Sequence, residues 1–264
     1  MNELEKLYDL AKMIAISGGE KALDYFRKKD YEIKNKEKKS FDPVTIADLE
    51  SEKIMRKIIE SERPNDSIFG EEFEYKKGSS GYQWVLDPID GTRAFIAGIP
   101  VWGVLVALNK GHKPLIGVIY QPFSKELYSG KDGFSELKMK NFSSIIKTSK
   151  VSKIENSIIS TTFPEFENKK QREIFNSIKL NTKFVRYGLD CYAYALLAQG
   201  KIDIIMETGL KKYDIQAPQI IVEGAGGIVT DWKGNESHEG GSVLATSNIK
   251  LHKKVLEKLS DYDF

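Results

Sequence analysis

Apolar residues at the start of the chain recur at three- and four-residue spacing, which predicts an amphipathic helix running from Leu4 to Phe26. Because one face of that helix is apolar, we expect it to cover a sheet. Gly18 and Gly19 interrupt the pattern and are expected to loosen the helix. The charge-rich segment from Lys28 to Lys39 alternates only weakly, and we interpret it as solvated surface without a binding role.

A second helix is predicted around Asp48, an acid that complements the helix dipole and on that ground alone needs no other role. Its buried face is formed by four apolar residues at helical spacing: Ile54, Met55, Ile58 and Ile59. Pro64 ends this helix, and a short strand from Ser67 to Gly70 leads directly into Glu71 and Glu72. Because only a Gly- and Ser-rich turn separates this strand from the next, the two are expected to be neighbours.

Apolar runs separated by turn signals continue through the first half of the chain, which predicts an antiparallel meander with helices on one side. Its strands are predicted at 83–86, 102–109, 114–120 and 126–130. Beyond residue 150 strands and helices alternate, which favours an α/β arrangement. The strands there are predicted at 157–161, 183–187, 201–207, 228–231 and 242–246, and the helices at 165–178, 190–199, 214–224 and 248–259. We therefore expect one domain over 1–264, with an α+β half to about residue 150 and an α/β half beyond it.

The composition excludes several classes of protein. Forty basic and 38 acidic residues give a net charge of +2, which is too balanced for a nucleic-acid binder that works by bulk charge. Cys191 is the only cysteine, so no disulfide framework is expected, and it lacks the arginine six residues later that a cysteine phosphatase loop needs. The N-terminus lacks the apolar core of a signal peptide, and no window is apolar enough for a membrane span. We expect a cytoplasmic protein with small-molecule partners, which binds neither nucleic acid nor membrane.

The most informative stretch follows the strand that ends at Leu86, where a proline and an isoleucine separate the carboxylates of Asp87 and Asp90. The proline and the next glycine are expected to end regular strand pairing. Hard divalent cations prefer oxygen ligands, so the two carboxylates can converge on one ion or bridge two. If a helix begins at Gly91 and Thr92, its unpaired N–H groups offer a cradle for a phosphate oxygen. The alternative is an ordinary Asp-Pro turn with solvated acids, and this stretch by itself leaves both readings open.

Four motifs occur in order along the chain: Asp42–Asp48, Gly70–Glu72, Asp87–Thr92 and Asp214–Gly227. With them the chain resembles the inositol monophosphatase family of magnesium-dependent phosphatases. The resemblance implies the layered α/β/α/β/α sugar-phosphatase fold, a homodimer, and two or three Mg²⁺ ions in each site. The implied metal ligands are Glu71, Asp87, the carbonyl of Ile89, Asp90 and Asp214.

The resemblance also implies the catalytic roles. Thr92 paired with Asp48 would orient and help deprotonate the attacking water, Glu71 would assist, and Gly91 with Thr92 would contact the phosphate. The chemistry agrees with this set, because hydrolysis of an anionic phosphate ester needs cations that neutralise charge. A histidine-rich metal phosphatase is disfavoured, because the three histidines are scattered without ligand spacing.

The sequences around Thr92–Gly103, Asp190–Tyr194 and Glu207–Lys211 look like the histidinol-phosphatase branch of the family, which implies histidinol phosphate as substrate. The implied substrate-binding residues are Gly91, Thr92, Arg93, Asp190, Glu207 and Asp214. Histidinol phosphate carries an ammonium and an imidazole, for which Asp190 and Glu207 would supply acceptors. Inositol-type members also place a glutamate like Glu207 there. An inositol monophosphatase or broad phosphomonoesterase is therefore the first alternative, and a non-catalytic binding or regulatory protein on the same fold is the second.

Overall fold

The computed structural model describes residues 2–28, 33–35, 43–166, 168–260 and 262. Most of the 28–39 segment, which was predicted to be surface, and Asp42 at the start of the first motif lie outside these residues. No helix in the described part of the chain has the length and apolar character needed to cross a membrane.

The helices of the described residues lie close to their predicted positions. They are α1 (Glu3–Leu23), α2 (Ile46–Glu62), α3 (Thr92–Ile96), α4 (Lys169–Lys179), α5 (Cys191–Ala198), α6 (Lys212–Gly224) and α7 (Ile249–Leu259). The strands of the first half are β1 (Ile33–Asn35), β2 (Pro43–Thr45), β3 (Ser67–Gly70), β4 (Tyr82–Asp90), β5 (Gly103–Lys110), β6 (Lys113–Gln121), β7 (Glu126–Lys131), β8 (Phe134–Met139) and β9 (Phe142–Ile145). Those of the second half are β10 (Ile158–Thr161), β11 (Phe184–Tyr187), β12 (Ile204–Lys211), β13 (Ile228–Thr230) and β14 (Gly240–Thr246).

Strands β3 to β9 form one sheet in chain order, which confirms the meander. Only β3 and β4 are parallel, and the later pairs are antiparallel. Strand β5 is buried on both faces, because Val104 and Val106 pack under α1 and α2 while Leu105 and Ala107 pack under α5 and α6. The prediction of helices on one side only was therefore wrong: the apolar residues of β5 do not alternate with polar ones, and such a strand needs cover on both faces.

The glycines of α1 do not loosen the helix, which is continuous from Glu3 to Leu23. A Cβ atom added at Gly18 would lie 2.7 Å from the sulfur of Met55 in α2, and one added at Gly19 would lie 2.5 Å from the ring of Tyr120 in β6. These glycines therefore allow α1 to approach α2 and the sheet closely, and the expectation that they loosen the helix was wrong.

The second half is built around a five-stranded sheet in the order β11-β10-β12-β14-β13, with β10 parallel to both of its neighbours. Ile205 and Val243 on one face pack against α5 and α6, which fill the space between the two sheets. Ile204 and Leu244 on the other face pack against α4 and α7. The layers are therefore α/β/α/β/α, as expected. The strand ends of the first sheet meet α5 and α6 in the middle layer, and the candidate site lies there.

Candidate active site

Two parallel strands carry the first acidic residues to one edge of the sheet. Strands β3 and β4 are neighbours, as predicted, with Gly70 beside Leu86. Glu71 and Asp87 follow these residues directly, and the backbone N–H of Glu71 donates to the carbonyl of Leu86 at 3.2 Å. The two carboxylates therefore emerge side by side, and after burial the charge of Glu71 contributes most to raising the pKa of Asp87.

A bulge in β4 places the two aspartates of the central motif. The sequence predicted that this strand ends at Leu86. In the structure its pairing with β5 continues to Asp90. Asp87 lies opposite Leu105 and Asp90 opposite Gly103, so three steps along β4 match two along β5. Residues three apart in a regular strand point to opposite faces, whereas a bulge re-aims a side chain. Regular pairing is interrupted at Pro88, as expected, but it resumes at Asp90, because Pro88 removes only one donor and a bulge tolerates that loss.

Three carboxylates meet at this point. Asp87, Asp90 and Asp214 each offer an oxygen atom, and these atoms lie within 4.8 Å of one another. Asp214 stands in the first turn of α6, where its Oδ2 accepts from the backbone N–H of Lys211 at 2.6 Å. Asp90 accepts from the backbone N–H of Cys191, at the start of α5, also at 2.6 Å. The second half of the chain therefore supplies one carboxylate of this acidic cluster and fixes the orientation of another.

Burial and mutual repulsion raise the pKa of every member of the acidic cluster. The pKa of Asp87 lies well above its usual range, first because the carboxylate is buried and then because other carboxylates surround it. Burial and the charge of Asp214 raise the pKa of Asp90 to about 7, although the hydrogen bond from Cys191 opposes the shift. Burial also raises the pKa of Asp214 to about 7, against the opposing backbone N–H of Lys211. Burial and repulsion thus disfavour the ionised form of each of these carboxylates in the absence of a cation.

The acidic cluster offers the ligands that a hard divalent cation prefers, since all three side chains present oxygen atoms. Glu71 lies outside the group of three, yet it is near enough for its charge to raise the pKa of Asp87, Asp90 and Asp214. The carbonyl of Ile89, the remaining predicted ligand, accepts from the Thr92 hydroxyl at 3.1 Å. A cation bound here would favour the ionised form of each carboxylate and remove the repulsion among them.

Asp48 has two sets of partners. It is fully buried, and its Oδ2 accepts from the backbone N–H and the hydroxyl of Thr45 at 2.8 and 2.6 Å, which completes the N-terminal cap of α2. Its Oδ1 accepts from the hydroxyl of Thr92 at 3.3 Å. The helix-terminal role expected for Asp48 is thus present, and the same carboxylate also reaches the first residue of α3 beside the acidic cluster.

Asp190 lies over the start of α3. Its backbone has φ 48° and ψ −142°, an uncommon conformation for a residue with a side chain. Its carboxyl group packs against Gly91, where an added Cβ would lie 2.9 Å from the Asp190 Cγ, so only glycine fits there. Burial and the charge of Asp90 raise the pKa of Asp190 to about 7, while Arg93 lowers it. The structure therefore brings Asp190 to the predicted phosphate contact and to the edge of the acidic cluster.

Glu207 is buried in β12 and held from one side. Its Oε1 accepts from the backbone N–H and the hydroxyl of Thr162 at 2.9 and 3.0 Å, whereas among the described residues its Oε2 has only a long contact of 3.5 Å with the Thr161 hydroxyl. Burial raises the pKa of Glu207 to about 8, the Thr162 bonds oppose this shift, and the charges of Asp190 and Asp90 add to it. Glu207 and Asp190 thus extend the negative region beyond the three clustered aspartates.

Glu52 supports the site and was missed by the sequence analysis. It is fully buried in α2, its Oε1 accepts from Arg56 at 2.7 Å, and its Oε2 accepts from the backbone N–H of Glu72 at 2.8 Å. It therefore fixes the segment that follows β3. The signal in the sequence was the spacing of Asp48, Glu52 and Arg56, which are four residues apart and share one face of the helix.

Tyr194 was also missed as a site residue. It stands one helical turn after Asp190, and its buried hydroxyl has no hydrogen-bond partner among the residues that the structure describes. After burial, the charges of Glu207, Asp90 and Asp214 contribute most to raising its pKa. A buried hydroxyl without a partner is costly, so its place beside three carboxylates marks the wall of the same site.

Comparison with known proteins gives one consistent result. A profile of the inositol monophosphatase family matches residues 3–263. The bifunctional phosphatase IMPL2 of Arabidopsis thaliana, a chloroplastic protein, is 39% identical over 97% of this chain and 76% of its own length. A histidinol-phosphatase of Chlorobaculum parvum is 31% identical over 96% of both chains. The solved structure of an inositol monophosphatase from Zymomonas mobilis matches with a TM-score of 0.85 and 34% identity, over 98% of this chain and 100% of that one.

Proposed function

The chain belongs to the inositol monophosphatase family of metal-dependent phosphomonoester hydrolases, and we propose that its substrate is histidinol phosphate and its metal Mg²⁺. The observation that carries the choice of substrate is the pair of carboxylates, Asp190 and Glu207, that lies beside the acidic cluster. The sequences around both residues support it, as does the similarity to a histidinol-phosphatase over nearly the whole chain.

The proposed metal site uses the oxygen atoms that converge between the two halves. Its ligands are Glu71, Asp87, the Ile89 carbonyl, Asp90 and Asp214. When bound, Mg²⁺ supplies the positive charge that an anionic phosphoryl group needs and lowers the pKa of water. The task of the chain is to hold these carboxylates ionised and oriented, which the backbone N–H groups of Cys191 and Lys211 support through Asp90 and Asp214.

The attacking water is proposed to bind at Thr92. The threonine hydroxyl gives its hydrogen to Asp48 or to the Ile89 carbonyl, so its oxygen keeps lone pairs for a hydrogen of the water. Asp48 thereby favours removal of a proton from the water, and Glu71 provides a second carboxylate that can accept it. Gly91 and Thr92 open α3 and are the proposed contacts of the phosphate oxygens.

The other end of the substrate is proposed to meet Asp190 and Glu207. Both carboxylates have a raised pKa, so a bound ammonium or an imidazole N–H would stabilise their ionised forms. Thr162 occupies Oε1 of Glu207, which leaves Oε2 as the acceptor for the substrate. A polyol has no cation, so it gains less from these two acids.

The alternative substrate is inositol phosphate, which the match to the Zymomonas mobilis inositol monophosphatase favours. The two are separated by measuring kcat/KM of the purified protein, with Mg²⁺, on histidinol phosphate, inositol 1-phosphate and glycerol phosphate. We expect histidinol phosphate to be preferred and activity to vanish in excess chelator. A preference for inositol 1-phosphate would contradict the proposed substrate and favour inositol phosphate instead.

Substitutions test the proposed reading of the amine and imidazole. Glu207→Gln and Asp190→Asn each remove a charge-assisted hydrogen bond worth roughly 1.5 to 3 kcal/mol, so kcat/KM for histidinol phosphate should fall about ten- to a hundredfold. Glycerol phosphate should change much less, because the acidic cluster and Thr92 are untouched. Equal losses on both substrates would mean that the two residues support the site rather than read the substrate.

Asp203→Asn is the matched control for Glu207→Gln. Asp203 immediately precedes β12, whereas Glu207 lies within it, and the two are similarly buried, at 4% and 5% exposure. Asp203 accepts from the backbone N–H of Ile158 at 2.8 Å and from the Ser149 hydroxyl. Its loss should lower stability and leave the ratio of the two kcat/KM values unchanged.

A further inference from the structure

A half-exposed aromatic ring stands at the rim of the site. Phe163 follows β10, 47% of its surface is exposed, and the guanidinium carbon of Arg93 lies 4.6 Å from the centre of its ring. We propose that Phe163, held by Arg93, determines specificity by packing against a planar ring in the leaving group of the substrate. This inference rests on the proposed function, since it names the residue that would read the imidazole of histidinol phosphate.

Phe163 directly follows the residue that holds Glu207, one of the two acids proposed to bind the amine and imidazole of the substrate. Thr162, the preceding residue, donates from its backbone N–H and its hydroxyl to Glu207 at 2.9 and 3.0 Å. The ring therefore starts from a backbone position that is fixed with respect to Glu207. Phe163 is therefore the residue next to the one that holds the Glu207 carboxylate.

Arg93, which contacts the Phe163 ring, lies next to the proposed phosphate contacts Gly91 and Thr92. Arg93 follows Thr92 in α3, and its charge lowers the pKa of Asp190. The carboxyl group of Asp190 packs against Gly91. The contact between Arg93 and Phe163 thus joins the first half of the chain to the second across the site. It adds an apolar ring beside the arginine that follows the proposed phosphate contact Thr92.

The chemistry of the ring selects among phosphomonoesters. A phenyl ring has no hydrogen-bonding groups, so it packs well against a flat heteroaromatic ring and poorly against a polyol whose hydroxyls need partners. The carboxylates of Asp190 and Glu207, the proposed substrate contacts, would accept hydrogen bonds from the N–H groups at the edge of such a heterocycle. Aromatic packing combined with carboxylate acceptors therefore fits an imidazole better than an inositol or a glycerol group.

The chain contains a matched control for this pair. Phe123, in the turn between β6 and β7, is also 47% exposed, and the guanidinium carbon of Arg27 lies 4.7 Å from the centre of its ring. Arg27 donates to the carbonyl of Gly98, and Phe123 packs against Phe26. Phe123→Ala removes a ring–guanidinium contact of the same kind but changes none of the proposed substrate-binding residues.

The test compares kcat/KM for histidinol phosphate and glycerol phosphate in wild type, Phe163→Ala, Phe163→Leu, Phe163→Tyr and Phe123→Ala. We expect Phe163→Ala and Phe163→Leu to lose about five- to twentyfold on histidinol phosphate, mainly through KM, and less than about twofold on glycerol phosphate. Phe163→Tyr keeps the ring and should retain the wild-type ratio, as should Phe123→Ala.

Two results would overturn the role of Phe163. One is wild-type selectivity in Phe163→Leu, because apolar bulk rather than the ring would then suffice. The other is an equal effect of Phe163→Ala on both substrates, including no effect on either. Failure of the proposed function is distinguishable, because it would appear in the wild-type enzyme as a preference for inositol 1-phosphate before any variant is made.

Discussion

The two ends of the parallel strands β3 and β4 carry buried aspartates in opposite surroundings. Asp66, just before β3, is 1% exposed and accepts from the Trp84 indole at 2.9 Å, from Arg63 at 2.9 Å and from Ser80 at 2.6 Å. Asp87, near the other end of β4, is also 1% exposed, and its Oδ1 accepts from the backbone N–H of Ile89 at 3.0 Å. Burial is the same at both ends, whereas the hydrogen-bond donors and the charges around the two carboxylates differ.

This difference separates a structural acid from a proposed metal ligand. The negative charge of Asp66 is balanced by Arg63, so the protein itself satisfies it. Asp87 is surrounded by Glu71, Asp90 and Asp214 instead, and its pKa is raised well above the usual range. A bound divalent cation would supply the positive charge that favours the ionised form of these carboxylates, as proposed for this site. The contrast leads to the following predictions, from the largest expected effect to the smallest.

Asp90→Asn should abolish turnover without unfolding the protein. Removing a ligand of the cation costs about 4 kcal/mol of transition-state stabilisation, or about a thousandfold in kcat. The amide oxygen can still accept from the backbone N–H of Cys191, and one repelling charge is gone, so the melting temperature should stay unchanged or rise. Steady-state kinetics and thermal melts check both parts, and full activity in this variant would contradict the metal site.

Asp66→Ala should show the reverse pattern. It leaves the buried indole N–H of Trp84 and the guanidinium of Arg63 without their partner, at a cost of about 3 kcal/mol of unfolding free energy. Urea unfolding measures this loss, while kcat/KM for each folded molecule should remain at the wild-type value. A stable Asp66→Ala protein without activity would contradict the structural role assigned to Asp66.

The stability conferred by Mg²⁺ should depend on pH. In the metal-free protein the pKa of Asp90 and of Asp214 is about 7, against about 3.9 in an unfolded chain. The folded state therefore binds more protons between about pH 4 and 7, so its stability falls as the pH rises through this window. Mg²⁺ binds the ionised carboxylates, and at a hundred times its Kd it adds about 2.7 kcal/mol.

Melting temperatures with and without Mg²⁺ at pH 5.5 and 8 measure this effect. We expect a large shift at pH 8 and a small one at pH 5.5. In Asp90→Asn the shift should be small at both. Comparing the melting temperatures with and without Mg²⁺ cancels the pH-dependent contributions of groups away from the site. One such group is His252, whose pKa is lowered to about 4 by burial. Equal shifts at both pH values would contradict competition between protons and the cation.

The element order and the central acidic motif could be predicted from the sequence because both depend on local patterns. The helix and strand positions, the neighbouring strands β3 and β4, and the α/β/α/β/α layers are confirmed. Strands β8 and β9 were missed, because polar residues make up half of each short strand and β9 is mostly exposed. The cover on the second face of β5 was missed because α5 and α6 come from a distant part of the chain.

The details of the site depended on contacts that spacing does not reveal. The bulge that brings Asp87 and Asp90 together arises from pairing with β5, and Thr162, which holds Glu207, precedes it by 45 residues. Asp214 was assigned through the family resemblance, not through its own surroundings. The single domain, the homodimer, the cytoplasmic location and the individual residue roles remain predictions.

The measurement that tests the central claim most directly is calorimetric titration of Mg²⁺ at pH 8 into metal-free wild type, Asp87→Asn and Asp66→Asn. The variants change the same residue type at the same burial on opposite ends of β3 and β4. We predict that Asp66→Asn binds Mg²⁺ as wild type does and that Asp87→Asn binds at least about tenfold more weakly. Wild-type binding by Asp87→Asn would contradict the assignment of the metal to this acidic cluster.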